Sequence, residues 1–245
     1  MLFWPERDWI LTVLPEQTPS SSPSAAALVL RVADVDVARG ERLLAGGLSF
    51  DVRAGEAVTI TGPNGAGKST FLRMLAGLLP VEHGRIAIDG ADADTPVAAQ
   101  AHYLGHLNAL KPALSVRENL EFWADMLAGG GPAAALSPAA ALAAFGLEHV
   151  LDVPGGYLST GQKRRVALAR LLVAHRPLWL LDEPSAGLDV GAQAQLSAVM
   201  GRHLAAGGMI VAATHVPLGL PAAREIRLGG DLRGGLAEDV AGDSA

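Results

Sequence analysis

Gly62, Pro63, Asn64, Gly65, Ala66, Gly67, Lys68 and Ser69 stand in the order of a loop that cradles phosphates. Its glycines let the backbone come close, so that successive amide N–H groups and the start of a following helix surround the phosphates. Lys68 adds a point charge for the β and γ phosphates, Ser69 a hydroxyl for Mg²⁺, and Thr70 stands near the α-phosphate. The apolar run Leu178, Trp179, Leu180, Leu181 ends in Asp182 and Glu183, two carboxylates where ligands gather in open α/β sheets. Asp182 is expected to hold Mg²⁺ through water, and Glu183 to orient and polarise the attacking water. The chemistry that such residues would do is binding and hydrolysis of a nucleoside triphosphate, with ATP the expected one.

Two further elements belong to the same chemistry. His215 follows the apolar run 209–213 and would reach the same edge of the sheet, which assigns it to the γ-phosphate. A lone histidine is more often a packed or surface residue; its place directly after a core strand reverses that expectation. Leu158, Ser159, Thr160, Gly161 and Gln162 precede a helix for which Ser159 is a good N-cap. Capping alone does not need Gly161. A residue without a side chain there lets the backbone meet a phosphate at a helix N-terminus.

These residues require strands that end, and helices that begin, beside one another. Short alternating or apolar runs predict strands at 28–32, 48–52, 57–61, 84–90, 178–181 and 209–213. Phe71, Leu72, Leu75, Leu78 and Leu79 recur at helical spacing from Lys68 to Leu79, where Pro80 stops the helix. Val166, Leu168, Ala169, Leu171 and Leu172 predict another helix, with His175 and Arg176 in its last turn and Pro177 beyond. Between Ser115 and Pro154 the composition turns to Ala, Leu and Glu. There Gly129, Gly130, Gly131 and Pro132 form an internal break, and Ser137-Pro138 a helix start, so this is a small helical subdomain. The stretch before Leu110 has no clear pattern. Strands alternating with helices indicate a layered α/β core.

The chain has 245 residues, half of them hydrophobic, enough for one large domain or one domain with an inserted subdomain. The absence of cysteine excludes disulfides and thiolate metal sites. A formal charge of -6 gives no footprint for nucleic acid, and the basic run Lys163-Arg164-Arg165 falls inside a predicted helix. No nucleic acid partner is expected. No apolar stretch approaches the ~20 residues that cross a bilayer, so at a membrane another subunit must supply the span. Residues 1–14 carry Glu6, Arg7 and Asp8 and lack a basic start, unlike a signal peptide. Residues 15–24, dominated by Pro, Ser, Thr and Gln, predict a flexible linker. The expected organisation is an N-terminal extension at 1–26, an ATP-binding domain at 27–235 with its helical subdomain at about 112–162, and a short polar tail at 236–245.

Taken in order, the phosphate loop, residues 158–162, Asp182-Glu183, residues 185–189 and His215 resemble the ATP-binding subunits of ABC transporters over residues 28–230. The resemblance implies a P-loop NTPase core of α/β class with an antiparallel β subdomain and an inserted helical subdomain. It also implies a head-to-tail homodimer. Lys68 and Ser69 of one chain and Ser159, Thr160, Gly161 and Gln162 of the other would close over each ATP, with Mg²⁺ as cofactor and Asp189 linking the two sites. A narrower likeness is to the ATP-binding subunits of bacterial cytochrome c maturation systems. It rests on Tyr103, Leu104, Gly105 and His106, on residues 114–123 and 177–184, and on Gly207-Gly208-Met209 leading to residues 214–218. That likeness implies an integral membrane partner of the same system, a peripheral position on the cytoplasmic face of the inner membrane, and ATP hydrolysis serving haem export or release of a haem-loaded chaperone. The alternatives are a transporter ATPase for another small substrate and a soluble ABC ATPase. Soluble members usually carry long coiled-coil insertions or two cassettes, and neither is present.

Two positions depart from the general ABC pattern. His106 stands where most members have a coupling glutamine, and an imidazole there can protonate near neutral pH. Arg39 stands where an aromatic residue usually stacks on adenine, and a guanidinium plane can stack in its place.

Overall fold

Two sheets and the helix between them position everything that follows. The computed structural model describes residues 27–40, 42–91, 95–127, 135–220 and 222–229. The N-terminal extension and linker, the glycine-rich break at 129–132 and the polar tail lie outside them. In chain order the elements are β1 (Val29–Arg39), β2 (Arg42–Arg53), β3 (Ala57–Thr61), α1 (Lys68–Leu75), β4 (Arg85–Asp89), β5 (Ala101–Leu104), α2 (Val116–Leu127), α3 (Pro138–Ala143), α4 (Thr160–Ala169), β6 (Leu178–Asp182), α5 (Val190–Ala205), β7 (Met209–Ala213) and β8 (Arg224–Arg227).

The first sheet is antiparallel, with order β2-β1-β4. Leu30, Val32, Val35 and Val37 bury one face of β1 while Arg31 stays in solvent, tied to Asp51 and Asp89 on the flanking strands. Both long strands exceed the segments that alternation predicts. An irregularity between Val32 and Val35, with Asp34 at φ 52°, breaks the two-residue period there.

The second sheet is parallel, with order β5-β6-β7-β3-β8. β6 and β7 are buried at every position, as continuous apolar runs in a doubly covered sheet require. Leu178, Leu180, Met209 and Val211 face α1, whose Phe71, Leu72 and Leu75 also meet Leu30 and Val52 of the antiparallel sheet. Phe50 and Phe71 meet edge to face with centroids 5.9 Å apart. The alternate side chains Trp179, Leu181, Ile210 and Ala212 join the opposite core with Val166 and Leu168 of α4 and Leu196, Val199 and Met200 of α5. On that side Leu120, Leu142, Phe145 and Leu147 extend the core under α2 and α3. The Ser137 hydroxyl accepts from Ala140 N at 3.3 Å, the cap read from Ser137-Pro138.

Two helix boundaries and two strands differ from expectation. α1 stops at Leu75, because the chain turns left-handed at Gly77 (φ 68°) before Pro80 is reached. α4 stops at Ala169 and tightens into a 3-10 turn over 170–172, which leaves His175 and Arg176 beyond it. β5 and the short edge strand β8 complete the sheet from segments with no clear period. Among the described residues no helix is long and apolar enough to cross a membrane.

Candidate functional site

Strand register gathers the site. Ile60 and Asp182 both pair with Ala213, so β3, β6 and β7 end level with one another. Each strand hands over there to a segment that holds expected site residues: residues 62–69, Asp182-Glu183, and Thr214-His215. The hydrogen bonds continue past the strands, from Glu183 N to Ala213 O (2.9 Å) and from Thr214 N to Ile60 O (3.3 Å).

Two glycines of the loop cannot be replaced without moving backbone or core. Gly62 has φ 133°, and a Cβ on it would lie 2.2 Å from the Leu228 carbonyl oxygen. Gly67 has φ 101°, and its Cβ would press on Val37 at 3.0 Å and Leu44 at 3.2 Å. The latter contact seats the β1–β2 hairpin on the loop, with exposed Arg39 at the end of β1, two residues beyond Val37. Gly67 is also the N-cap of α1, without a capping side chain and without an acidic residue in the first turn. The first amides of α1 therefore remain free for an anion. The buried Lys68 Nζ donates to the carbonyls of Gly62 (2.7 Å) and Pro63 (3.1 Å), which holds it across the mouth of the loop.

The carboxylates differ in surroundings. Asp182 is 1% exposed, and its Oδ2 is buried without a hydrogen-bond partner. An unpaired carboxylate oxygen in that position is costly unless a cation or its water meets it. Glu183 is held at φ 47°, a left-handed conformation that costs a non-glycine residue roughly 1 kcal/mol or more. Its Oε1 lies 3.4 Å from His215 Nε2, and the Glu183 side chain is 19% exposed. Thr214 Oγ1 donates to Val216 O at 2.8 Å and accepts from Val216 N at 3.1 Å, a local turn that presents His215.

His106 is exposed, one residue into the loop that follows β5. That loop is clamped to α2. Buried Asn119 accepts from Lys111 N at 2.8 Å and donates to the carbonyls of Lys111 (3.1 Å), Leu114 (3.2 Å) and Ser115 (2.9 Å). Trp123 Nε1 donates to Ala109 O at 3.3 Å, while the Arg170 guanidinium lies 4.2 Å over the Trp123 ring and donates to Tyr103 O at 2.9 Å. Burial lowers the Arg170 pKa to about 10, with Arg164 adding to the effect.

Ser159 and Gln162 form a capping box at the start of α4: Ser159 Oγ accepts from Gln162 N at 3.2 Å, and Gln162 Oε1 from Ser159 N at 2.9 Å. A Cβ on Gly161 would meet only the Gly187 carbonyl at 3.7 Å, an ordinary contact. Among the described residues nothing requires glycine there. Asp189 caps α5 by accepting from Ala192 N at 2.8 Å. Ser159, Gly161 and Asp189 thus lie around the 185–189 turn, and among the described residues no hydrogen bond joins them to the phosphate loop.

Sequence reasoning passed over Arg164 as one charge of a basic run. The structure buries it with four hydrogen bonds to main-chain carbonyls. Its spacing of four residues from Leu168 and seven from Leu171 was the available signal, since those positions share a core-facing stripe.

The sequence model of the family described as ABC transporter matches residues 45–186. The chain is 55% identical over 192 residues to the cytochrome c biogenesis ATP-binding export protein CcmA of Nitrobacter winogradskyi, covering 78% of this chain and 94% of that protein. It is 52% identical over 192 residues to the protein of the same name from Bradyrhizobium diazoefficiens, covering 78% and 94%. Among solved structures, an ABC transporter ATP-binding protein from Pyrococcus furiosus superposes with a TM-score of 0.69 at 21% identity, covering 82% of this chain and 97% of that one. The ATP binding subunit of an ABC transporter superposes with a TM-score of 0.71 at 30% identity, covering 82% and 85%.

Proposed function

The chain belongs to the ABC transporter family, and on that premise we propose that its ATP hydrolysis drives a membrane complex for c-type cytochrome biogenesis, in haem export or in release of a haem-loaded chaperone. The observation that carries this reading is the 55% identity over 192 residues, spanning 94% of a relative named for that process. A transporter ATPase for another small substrate is the second reading, because the cargo is chosen by a membrane subunit.

In this reading the free amides of α1, with Gly62, Pro63, Asn64, Gly65, Ala66 and Gly67, receive the phosphates of ATP, and Lys68 turns from its two carbonyl acceptors to the β and γ phosphates. The residues present suit Mg²⁺: the unpartnered Oδ2 of Asp182 and the Ser69 hydroxyl are oxygen donors of the kind it takes alongside substrate phosphates. Bound there, Mg²⁺ neutralises charge on the transferring phosphoryl group. Thr70 contacts the α-phosphate, and Arg39, beside the loop, stacks on adenine. Glu183 accepts the proton of the attacking water, and His215, 3.4 Å from it, holds the γ-phosphate geometry.

Ser159, Thr160, Gly161 and Gln162 serve the ATP held by a second copy, and Asp189 links the two sites. The homodimer closes on binding and reopens after hydrolysis. Support comes from Gly161, whose lack of a side chain nothing among the described residues explains. Leu107 and Tyr157, each 84% exposed, and Phe122 lie on or beside the clamped 105–114 loop, and these apolar groups suit an integral membrane partner at the cytoplasmic face of the inner membrane.

Purifying the full-length chain from detergent-extracted membranes and identifying the integral protein that accompanies it tests the reading. A subunit of cytochrome c assembly is expected. A lipid or drug transporter subunit would favour the second reading, and a protein found only on ribosomes or DNA would overturn both.

A further inference from the structure

Arg164 lies on α4, five residues after the helix cap Ser159, and is 5% exposed. No salt bridge pairs it with a carboxylate among the described residues. Its guanidinium instead donates to backbone carbonyls: Nη2 to Glu183 O at 2.6 Å and to Asp182 O at 3.2 Å, Nη1 to Gly105 O at 2.9 Å, and Nε to Pro184 O at 3.4 Å. A buried cation aimed at main-chain oxygens is an expensive way to stabilise a fold, since desolvation opposes it. Burial does lower the Arg164 pKa, against the opposing pull of Asp182 and Glu183.

Three of the four carbonyls it holds belong to the turn that bears Glu183. Glu183 is one of three described non-glycine residues with positive φ, the others being Asp34 and Ala109. Its amide is fixed to Ala213 O on one side, and its carbonyl to Arg164 on the other. Those two bonds pin the backbone unit whose left-handed turn aims the side chain at His215. The bond to Gly105 O reaches the residue before His106, so one planar group joins α4, the turn after β6 and the loop after β5.

We propose that Arg164 is a positioning residue for ATP hydrolysis: it holds Glu183 in its strained conformation and makes the aim of that carboxylate depend on where α4 and the loop bearing His106 stand. This inference rests on Glu183 acting as the general base. A shift of α4, whose N-terminal residues face the neighbouring chain's ATP in the proposed dimer, reaches the carboxylate through one rigid side chain. Each chain then fires its own ATP only when its helix is seated on the other's.

The test uses the full-length chain with its membrane partner, in Arg164→Lys, Arg164→Gln, Glu183→Gln and the double variant Arg164→Gln/Glu183→Gln. A lysine keeps the charge but cannot span both segments. Misplacement of the carboxylate by about 1 Å predicts a loss of about 100-fold in kcat for either Arg164 variant, with the KM for ATP changed less than about threefold. Because Arg164 acts through Glu183, the double variant should be no slower than Glu183→Gln alone. Wild-type kcat in Arg164→Lys, a change confined to KM, or losses that multiply in the double variant would each overturn the proposal. So would failure of both Arg164 variants to fold and bind ATP, since the residue would then be architectural. Normal turnover in Glu183→Gln alone removes the general-base assignment instead, and is recognised without reference to Arg164.

Discussion

His102 lies within β5 with its Nε2 donating to Ala174 O at 2.8 Å, and burial pushes its pKa down from 6.5 to about 3. His203, stacked on Trp179 with centroids 3.9 Å apart, is pushed down by burial to about 4. Both are neutral in the folded protein at pH 5, where the unfolded chain has already taken up the proton. Their contribution is therefore complete above about pH 6.5 and is lost as pH falls towards the folded values. At roughly 1.4 kcal/mol per pH unit for a fully buried group, His102 alone removes about 2 kcal/mol between pH 6.5 and 5. Urea unfolding should show this loss, and His102→Gln should flatten it by close to one proton. An unchanged slope in that variant would show that His102 does not control acid stability.

At the scale of elements, the loop from Gly105 to Leu114 owes its shape to α2. Asn119 satisfies one amide and three carbonyls of the loop and helix start, and Ala109 keeps a φ of 52° under the Trp123 indole. Asn119→Ala leaves these groups to water or to nothing, which costs about 1–3 kcal/mol. The urea midpoint should fall with little change in m-value; a stability equal to the parent would mean that the loop holds itself. None of this could be read from spacing. The strands β6 and β7 were legible because both faces are buried and the runs stay apolar up to Asp182 and Ala213, and β3 because Ala57, Val58 and Ile60 keep it mostly apolar. The structure brings the phosphate loop, Asp182-Glu183 and His215 to the ends of neighbouring strands, as their places directly after three apolar runs lead one to expect. Arg164 and Asn119 were not singled out for these roles, since a side chain that binds carbonyls leaves no complementary residue type in the sequence. β8 was hidden by its length and its polar edge position, and the boundaries of α1 and α4 by local turn geometry that competes with their apolar period.

For the molecule as a whole, Gly161 is where the proposed homodimer can be told apart from the needs of a single chain. Valine there should leave the stability of the nucleotide-free chain within about 0.5 kcal/mol, because its Cβ would make only an ordinary contact with the Gly187 carbonyl and glycine is itself a poor helix residue. The same substitution should abolish the ATP-dependent dimer, measured by light scattering in a Glu183→Gln background. A dimer of undiminished affinity would remove residues 159–162 from the interface.

The position of β3 in its sheet has a consequence for how the protein is made. Its two neighbours are β7 and β8, and Leu228 N closes onto Thr61 O at 2.9 Å directly beside Gly62. A ribosome that has delivered residues 62–69 has written out the whole phosphate loop, yet the strands that flank it emerge only with residues 209–227. Pairings so distant along the chain close late in folding. The frame around the loop therefore waits for residues 209–228, and a chain interrupted before them carries the motif without the strands that hold it in place.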